Sequence, residues 1–199
     1  MVGVGVFKAR ISAVSDERMR KWLAATAAGE RQAFAALYQA FLPRVHGYLR
    51  LQVSNDSDVQ DLLQDTFVTV WRSAGRYSGS STVATWIFGI ARHKLLDWLR
   101  TKLTRRELGM AAGDEAQEFA QPDFVDAVVS ELDLEKALES LPPHYAELVY
   151  LVFQEAMSYK DIGALLEIPE GTVKSRMYQA KNLLRQQLRK EVEASEGGV

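Results

Sequence analysis

Apolar residues recur at three- and four-residue spacing along most of the chain. This predicts helices over residues 30–52, 56–74, 84–105, 131–140, 143–155, 159–166 and 170–190. No stretch alternates apolar and polar residues long enough to read as a strand. Start signals fall where the periodicity begins. Asn55-Asp56-Ser57-Asp58 precedes the second helix, Pro142-Pro143 opens another, and Ser158 is followed three residues on by Asp161, a capping pair. Residues 109–123 lack a firm pattern and read as linker. The expected fold is all-α, with two small helical domains. A tail (1–24) precedes a first domain (25–106), a flexible acidic linker (107–130), a second domain (131–190) and a polar end (191–199).

The last two helices of the second domain are joined by a tight turn. On a helical wheel, Val173, Met177, Ala180 and Leu184 share one side of the final helix and would pack on its predecessor. Ser175, Tyr178 and Asn182 point directly away. Lys174, Lys181 and Arg185 line one edge, and Thr172, Arg176 and Gln179 the other. Polar side chains that reach base edges, bordered by cations that reach phosphates, suit a helix docked in the DNA major groove. Gly163 falls where two helices would cross closely. An amphipathic surface helix of a plain bundle is the alternative.

In the first domain, residues 58–72 form one amphipathic helix. Val59, Leu63, Phe67 and Val70 face inward, while Asp61, Asp65, Val68 and Arg72 face outward. A valine exposed among charges suits a protein interface with a polar rim. In the next helix Ile87, Ala91, Leu95 and Trp98 face the core, and Trp86, His93, Asp97 and Arg100 share another face. An exposed aromatic beside cations is what single-stranded nucleic acid needs for stacking. Trp86 could equally be covered by the preceding loop, Ser78-Gly79-Ser80-Ser81-Thr82, which is small, polar and flexible.

Charge sharpens this picture. The net charge is −2, but residues 25–106 carry 11 basic and 6 acidic side chains (+5) and residues 159–190 carry 7 and 3 (+4). Between them, residues 107–130 carry 0 and 6 (−6) and residues 131–158 carry 1 and 6 (−5). Two basic blocks around an acidic one fit two nucleic-acid-facing modules and a connector that avoids DNA; solvated helix faces would give the same counts. The chain has no cysteine, which excludes disulfides, thiol catalysis and thiolate zinc sites. His46, His93 and His144 lie far apart in sequence, so no metal site is expected. No run approaches a membrane span, and the start lacks the apolar core of a signal peptide, so a cytoplasmic location is expected. No paired carboxylates, catalytic triad or phosphate loop stands out, so neither catalysis nor a cofactor is expected.

Residues 158–185, with Glu170-Gly171-Thr172-Val173-Lys174-Ser175-Arg176 and the preceding Leu138-Glu139-Ser140-Leu141-Pro142, resemble region 4 of bacterial extracytoplasmic-function sigma factors of the sigma-70 family. Residues 58–72 and 76–100 resemble regions 2.2 and 2.3–2.4 of the same group. The resemblance implies a promoter-specificity subunit of RNA polymerase that starts transcription of a stress or envelope-response regulon. It implies that Asp61, Gln64, Asp65, Val68 and Arg72 bind the clamp helices of the polymerase β′ subunit. It places the unpaired −10 strand at Ser78, Gly79, Ser80, Ser81, Thr82, Trp86, His93 and Arg100. It places the −35 duplex at Thr172, Lys174, Ser175, Arg176, Tyr178, Gln179, Lys181, Asn182 and Arg185, with the second domain also contacting the β flap. It further implies an anti-sigma factor, which could hold the chain at the membrane without the chain inserting there. Three positions depart from the group's pattern: Glu167 stands where glycine is usual, Val83 where phenylalanine is usual and His93 where asparagine is usual. A left-handed Glu167 would cost about 1 kcal/mol relative to glycine. Two rivals use less of the chain: a DNA-binding regulator that never joins polymerase, and a helical interaction module with no DNA role.

Overall fold

The computed structural model describes residues 14–107 and 141–196, with side chains placed over 14–104 and 141–187. These residues fall into two compact units. The first holds α1 (Asp16–Ala27), α2 (Arg31–Arg50), α3 (Asp56–Ser73), a 3-10 turn (Ala74–Arg76) and α4 (Val83–Glu107). The second holds α5 (Pro143–Phe153), α6 (Tyr159–Leu166) and α7 (Glu170–Glu196). All but Glu107 of the expected linker, and the helix expected over 131–140, lie outside the described residues, as do residues 1–13.

Helical spacing builds the first core. Leu37, Phe41, Val45 and Tyr48 of α2 meet Val59, Leu63, Phe67 and Val70 of α3 and Ile87, Phe88, Ala91 and Leu95 of α4, all buried. Each such large side chain contributes roughly 1.5–3 kcal/mol by leaving water. Tyr48 meets Phe88 edge-on at 5.3 Å, and the Arg44 guanidinium lies over Phe41 at 4.3 Å. Asn55 starts α3: its side-chain oxygen accepts from the N–H of Ser57 (2.8 Å) and of Asp58 (3.2 Å). These bonds satisfy donors that the first helical turn leaves unpaired.

One expectation is corrected here. Residues 16–24 are not tail but most of α1, which packs on α2 and on the 3-10 turn. Ser15 caps it, accepting from the Arg18 N–H, and Met19 and Leu23 are buried one helical turn apart. At the other end of the chain the backbone stays helical to Glu196, so the polar end is mostly a continuation of α7.

In the second unit Pro143 occupies the first turn of α5, where its missing N–H costs nothing. Leu148 and Leu151 of α5, Ile162 of α6, and Val173, Met177 and Ala180 of α7 are buried together, with α5 and α6 both packing on α7. Leu184 is only half-buried. Ser158 caps α6 as the spacing predicts: its Oγ accepts from the Asp161 N–H (3.1 Å) and donates to Asp161 Oδ2 (2.6 Å).

The turn from α6 to α7 is set by two residues. Glu167 is left-handed (φ 58°, ψ 40°), and its N–H and that of Ile168 both donate to the Gly163 carbonyl. The turn thus keeps the conformation glycine favours, with glutamate bearing the strain. A Cβ on Gly163 would lie 2.9 Å from the Ile168 carbonyl oxygen, so glycine is required by the turn backbone that folds onto it. Ala156, in the loop before α6, is also left-handed (φ 50°).

Candidate functional site

The outward face of α7 is polar because its inward face is spent on the core. Tyr178 is 67% exposed at the middle of that face, flanked by exposed Ser175, Lys174, Gln179, Lys181 and Arg185. Thr172, Arg176 and Asn182 are half-buried, so Asn182 points less directly away than the wheel suggests. Lys174 pairs with Glu170 at 2.7 Å, an exposed pair that phosphate can displace at little cost. Ser175 donates its hydroxyl to the Thr172 carbonyl, which leaves its oxygen able to accept.

The Tyr145 hydroxyl of α5 donates to Gln179 Oε1 at 2.7 Å. This bond leaves the Gln179 amide its two N–H donors, so Tyr145 sets which chemistry that side chain can present. Sequence reasoning missed Tyr145; its partner lies 34 residues away, and no local spacing signals the pair. Its neighbour His144 is held below the ordinary histidine value, first by burial and then by the positive charge of Arg176.

In the first unit, Asp61, Gln64, Asp65, Val68 and Arg72 are all exposed along one side of α3, with Val68 at 40%. Tyr38 of α2, also partly exposed, stacks edge-on against Phe67 at 4.7 Å.

The loop before α4 is more tightly held than its composition suggests. Arg20 of α1 donates through Nη2 to the Ser81 carbonyl (2.9 Å) and through Nη1 to the Gly79 carbonyl (3.3 Å). Its Nε pairs with Asp16 Oδ2 at 2.6 Å, and Asp16 Oδ1 accepts from the Val83 N–H at 2.9 Å. The Tyr77 hydroxyl donates to the same Ser81 carbonyl. Burial pushes that hydroxyl above its ordinary value, although the charge of Arg20 opposes this, so it stays a donor. Thr82 caps α4 through the Thr85 N–H (3.1 Å), while Ser78 and Ser80 pair their hydroxyls at the exposed rim (2.9 Å). Sequence reasoning missed Asp16 and Arg20 because both lie in the stretch read as tail. The signal available was Ser15-Asp16-Glu17 as a helix start, with Met19 and Leu23 four apart.

Trp86 is half-buried and lies edge-on to Tyr77 at 5.6 Å, so it is partly covered by the loop region and partly open. The structure brings His93 and Arg100 together through Asp97, at 3.9 and 3.2 Å, and pairs Trp86 with Tyr77 instead. Of the two departures in and after the loop, Val83 is fully buried, whereas His93 is exposed. No helix among the described residues is long and apolar enough to cross a membrane.

Comparison with known proteins matches both units. Residues 37–105 match the family model for sigma-70 region 2, and residues 131–184 match that for sigma-70 region 4. The chain is 32% identical over 160 residues to the extracytoplasmic-function RNA polymerase sigma factor RpoE of Cereibacter sphaeroides, covering 80% of this chain and 88% of that one. It is 33% identical to the RNA polymerase sigma factor CarQ of Myxococcus xanthus, covering 80% and 91% respectively. Among solved structures it is similar to the sigma factor RpoE of Bartonella quintana in complex with the anti-sigma factor NepR. That likeness has a TM-score of 0.61 and 25% identity, over 78% of this chain and 96% of that one.

Proposed function

The chain belongs to the extracytoplasmic-function group of RNA polymerase sigma factors, and on that premise we propose how its two units divide the work of starting transcription. The first unit docks on the β′ clamp helices through the outward side of α3 and holds the unpaired −10 strand. The loop 78–82 receives a flipped base, Trp86 offers a ring for stacking, and His93 and Arg100 lie on the following turns for the backbone. The second unit lays α7 in the −35 major groove and touches the β flap. Tyr178, Ser175 and Gln179 reach base edges, and Lys174, Arg176, Lys181 and Arg185 reach phosphates. The acidic stretch between the units runs through polymerase channels that otherwise hold nucleic acid. Such a factor works in the cytoplasm, and the genes it serves form a stress or envelope-response regulon.

One observation carries this reading. A single chain presents a helix-turn-helix with an exposed polar, cationic face and, in its other unit, a serine-rich loop beside a half-open tryptophan. The Bartonella quintana relative was solved with an anti-sigma factor. By analogy, a small protein inhibitor covers α3 and the second unit when the factor is idle.

Replacing Lys174 and Arg176 together by alanine tests the −35 assignment. Two lost phosphate contacts should weaken duplex binding and lower the slope of log affinity against log salt by about 2. Fluorescence anisotropy across a salt series measures both; an unchanged slope would remove α7 from the DNA interface.

A further inference from the structure

We propose that α1 is a splint for the −10 loop: Asp16 and Arg20 fix residues 78–82 in the shape that receives an unpaired base, before DNA arrives. This rests on the reading of that loop given above. Arg20 uses one guanidinium to grip two loop carbonyls, Gly79 and Ser81, across sequence separations of 59 and 61 residues. Asp16 holds the guanidinium in place and also accepts from the Val83 N–H where α4 begins. The guanidinium also lies 5.5 Å from the Tyr77 ring, whose hydroxyl binds the Ser81 carbonyl from another side.

The consequence is an orientation of peptide planes. In a trans peptide the N–H points opposite to the C=O of the same plane. With the Gly79 and Ser81 carbonyls turned into α1, the N–H groups of Ser80 and Thr82 turn away from it, and that is the side on which we place the incoming base. The Ser80 N–H is engaged only by its own loop, at 3.4 Å from Ser78 Oγ. Gly79 makes the close approach possible: its φ is +77°, and a Cβ there would lie 3.2 Å from Arg20 Nη1. Without the clamp, the ordering of five small residues would have to be offset by DNA binding itself. Arg20 reaches the carboxylate and the two carbonyls with three separate nitrogens, Nε, Nη1 and Nη2, whereas the three donors of a lysine ammonium share one nitrogen. Asp16 and Arg20 are thus positioning residues, with no contact to DNA required of either.

The test uses holoenzyme and forked DNA taken from a promoter that the wild-type holoenzyme initiates on host genomic DNA. Each unpaired −10 base is replaced in turn by an abasic site, and the affinity ratio of intact to abasic template is measured. Wild type should lose at least about fivefold at the flipped position, since a captured base is worth that much or more. Arg20→Ala and Arg20→Lys should bring this ratio close to 1. Arg20→Lys keeps a cation for Asp16 and so the fold, and partial unfolding lowers both affinities without changing their ratio. A wild-type ratio retained in both variants would overturn the splint alone. Wild-type indifference to every abasic site would overturn the loop reading and the splint together.

Discussion

Val68→Arg is expected to weaken assembly with core RNA polymerase at least about 30-fold, equivalent to ~2 kcal/mol. Val68 is the exposed apolar residue of α3, 40% accessible, with exposed Asp61 and Asp65 on the same side. Carboxylates around an apolar centre call for a partner that brings cations to the rim and an apolar group to the middle. An arginine at the centre repels those cations and must itself be desolvated, so attraction and packing are lost together. The helix itself should tolerate the change, because the position is open to water and arginine is a good helix former. Competition with wild type for core enzyme reads the loss directly, and thermal unfolding of the free variant should stay near that of wild type. Full assembly by Val68→Arg would mean that the acidic side of α3 serves something other than polymerase.

The second large effect lies in the turn of the reading module, where two neighbouring substitutions should act with opposite signs. Gly163→Ala places a methyl 2.9 Å from the Ile168 carbonyl oxygen, a backbone atom that cannot swing aside. The turn must shift, at a cost of about 2 kcal/mol by analogy with overpacked cores. A unit this small has little stability to lose. The variant should therefore lose −35 duplex binding while still assembling with polymerase through α3. Glu167→Gly removes the strain of a left-handed glutamate and should stabilise the same unit by about 1 kcal/mol. That corresponds to a rise of roughly 4–8 °C in its melting temperature. Circular dichroism melts of the two variants give both signs; a Gly163→Ala protein as stable as wild type would contradict the packing described for the turn.

Features set by a few consecutive residues were legible in the sequence. Asn55 and Ser158 announce the helices they cap, the buried faces of α3 and α4 follow the three- and four-residue spacing except at Trp98, which is only half-buried, and Gly163 stands out as a close approach. Glu167 is a departure in residue type held in the left-handed conformation that glycine favours, so the turn carries strain. What escaped is tertiary. α1 buries only Met19, Leu23 and Thr26 along its 12 residues, so its one local signal, the start at Ser15 with Met19 and Leu23 four apart, is short and was passed over. Its importance comes from Arg20 meeting carbonyls some 60 residues away. The link between Tyr145 and Gln179 is of the same kind. The ambiguity over Trp86 was real in the sequence, and the structure resolves it as half of each: the ring meets Tyr77 on one side and water on another.

The most direct measurement is transcription in vitro with purified core polymerase, this chain and host genomic DNA, followed by mapping of the transcript starts. Addition of the chain should create new starts at sites that share two short elements at a fixed separation. Their use should fail when Val68→Arg replaces wild type. Polymerase that starts nowhere new, although the chain binds duplex DNA through α7, would contradict the reading of this protein as the subunit that brings polymerase to its promoters.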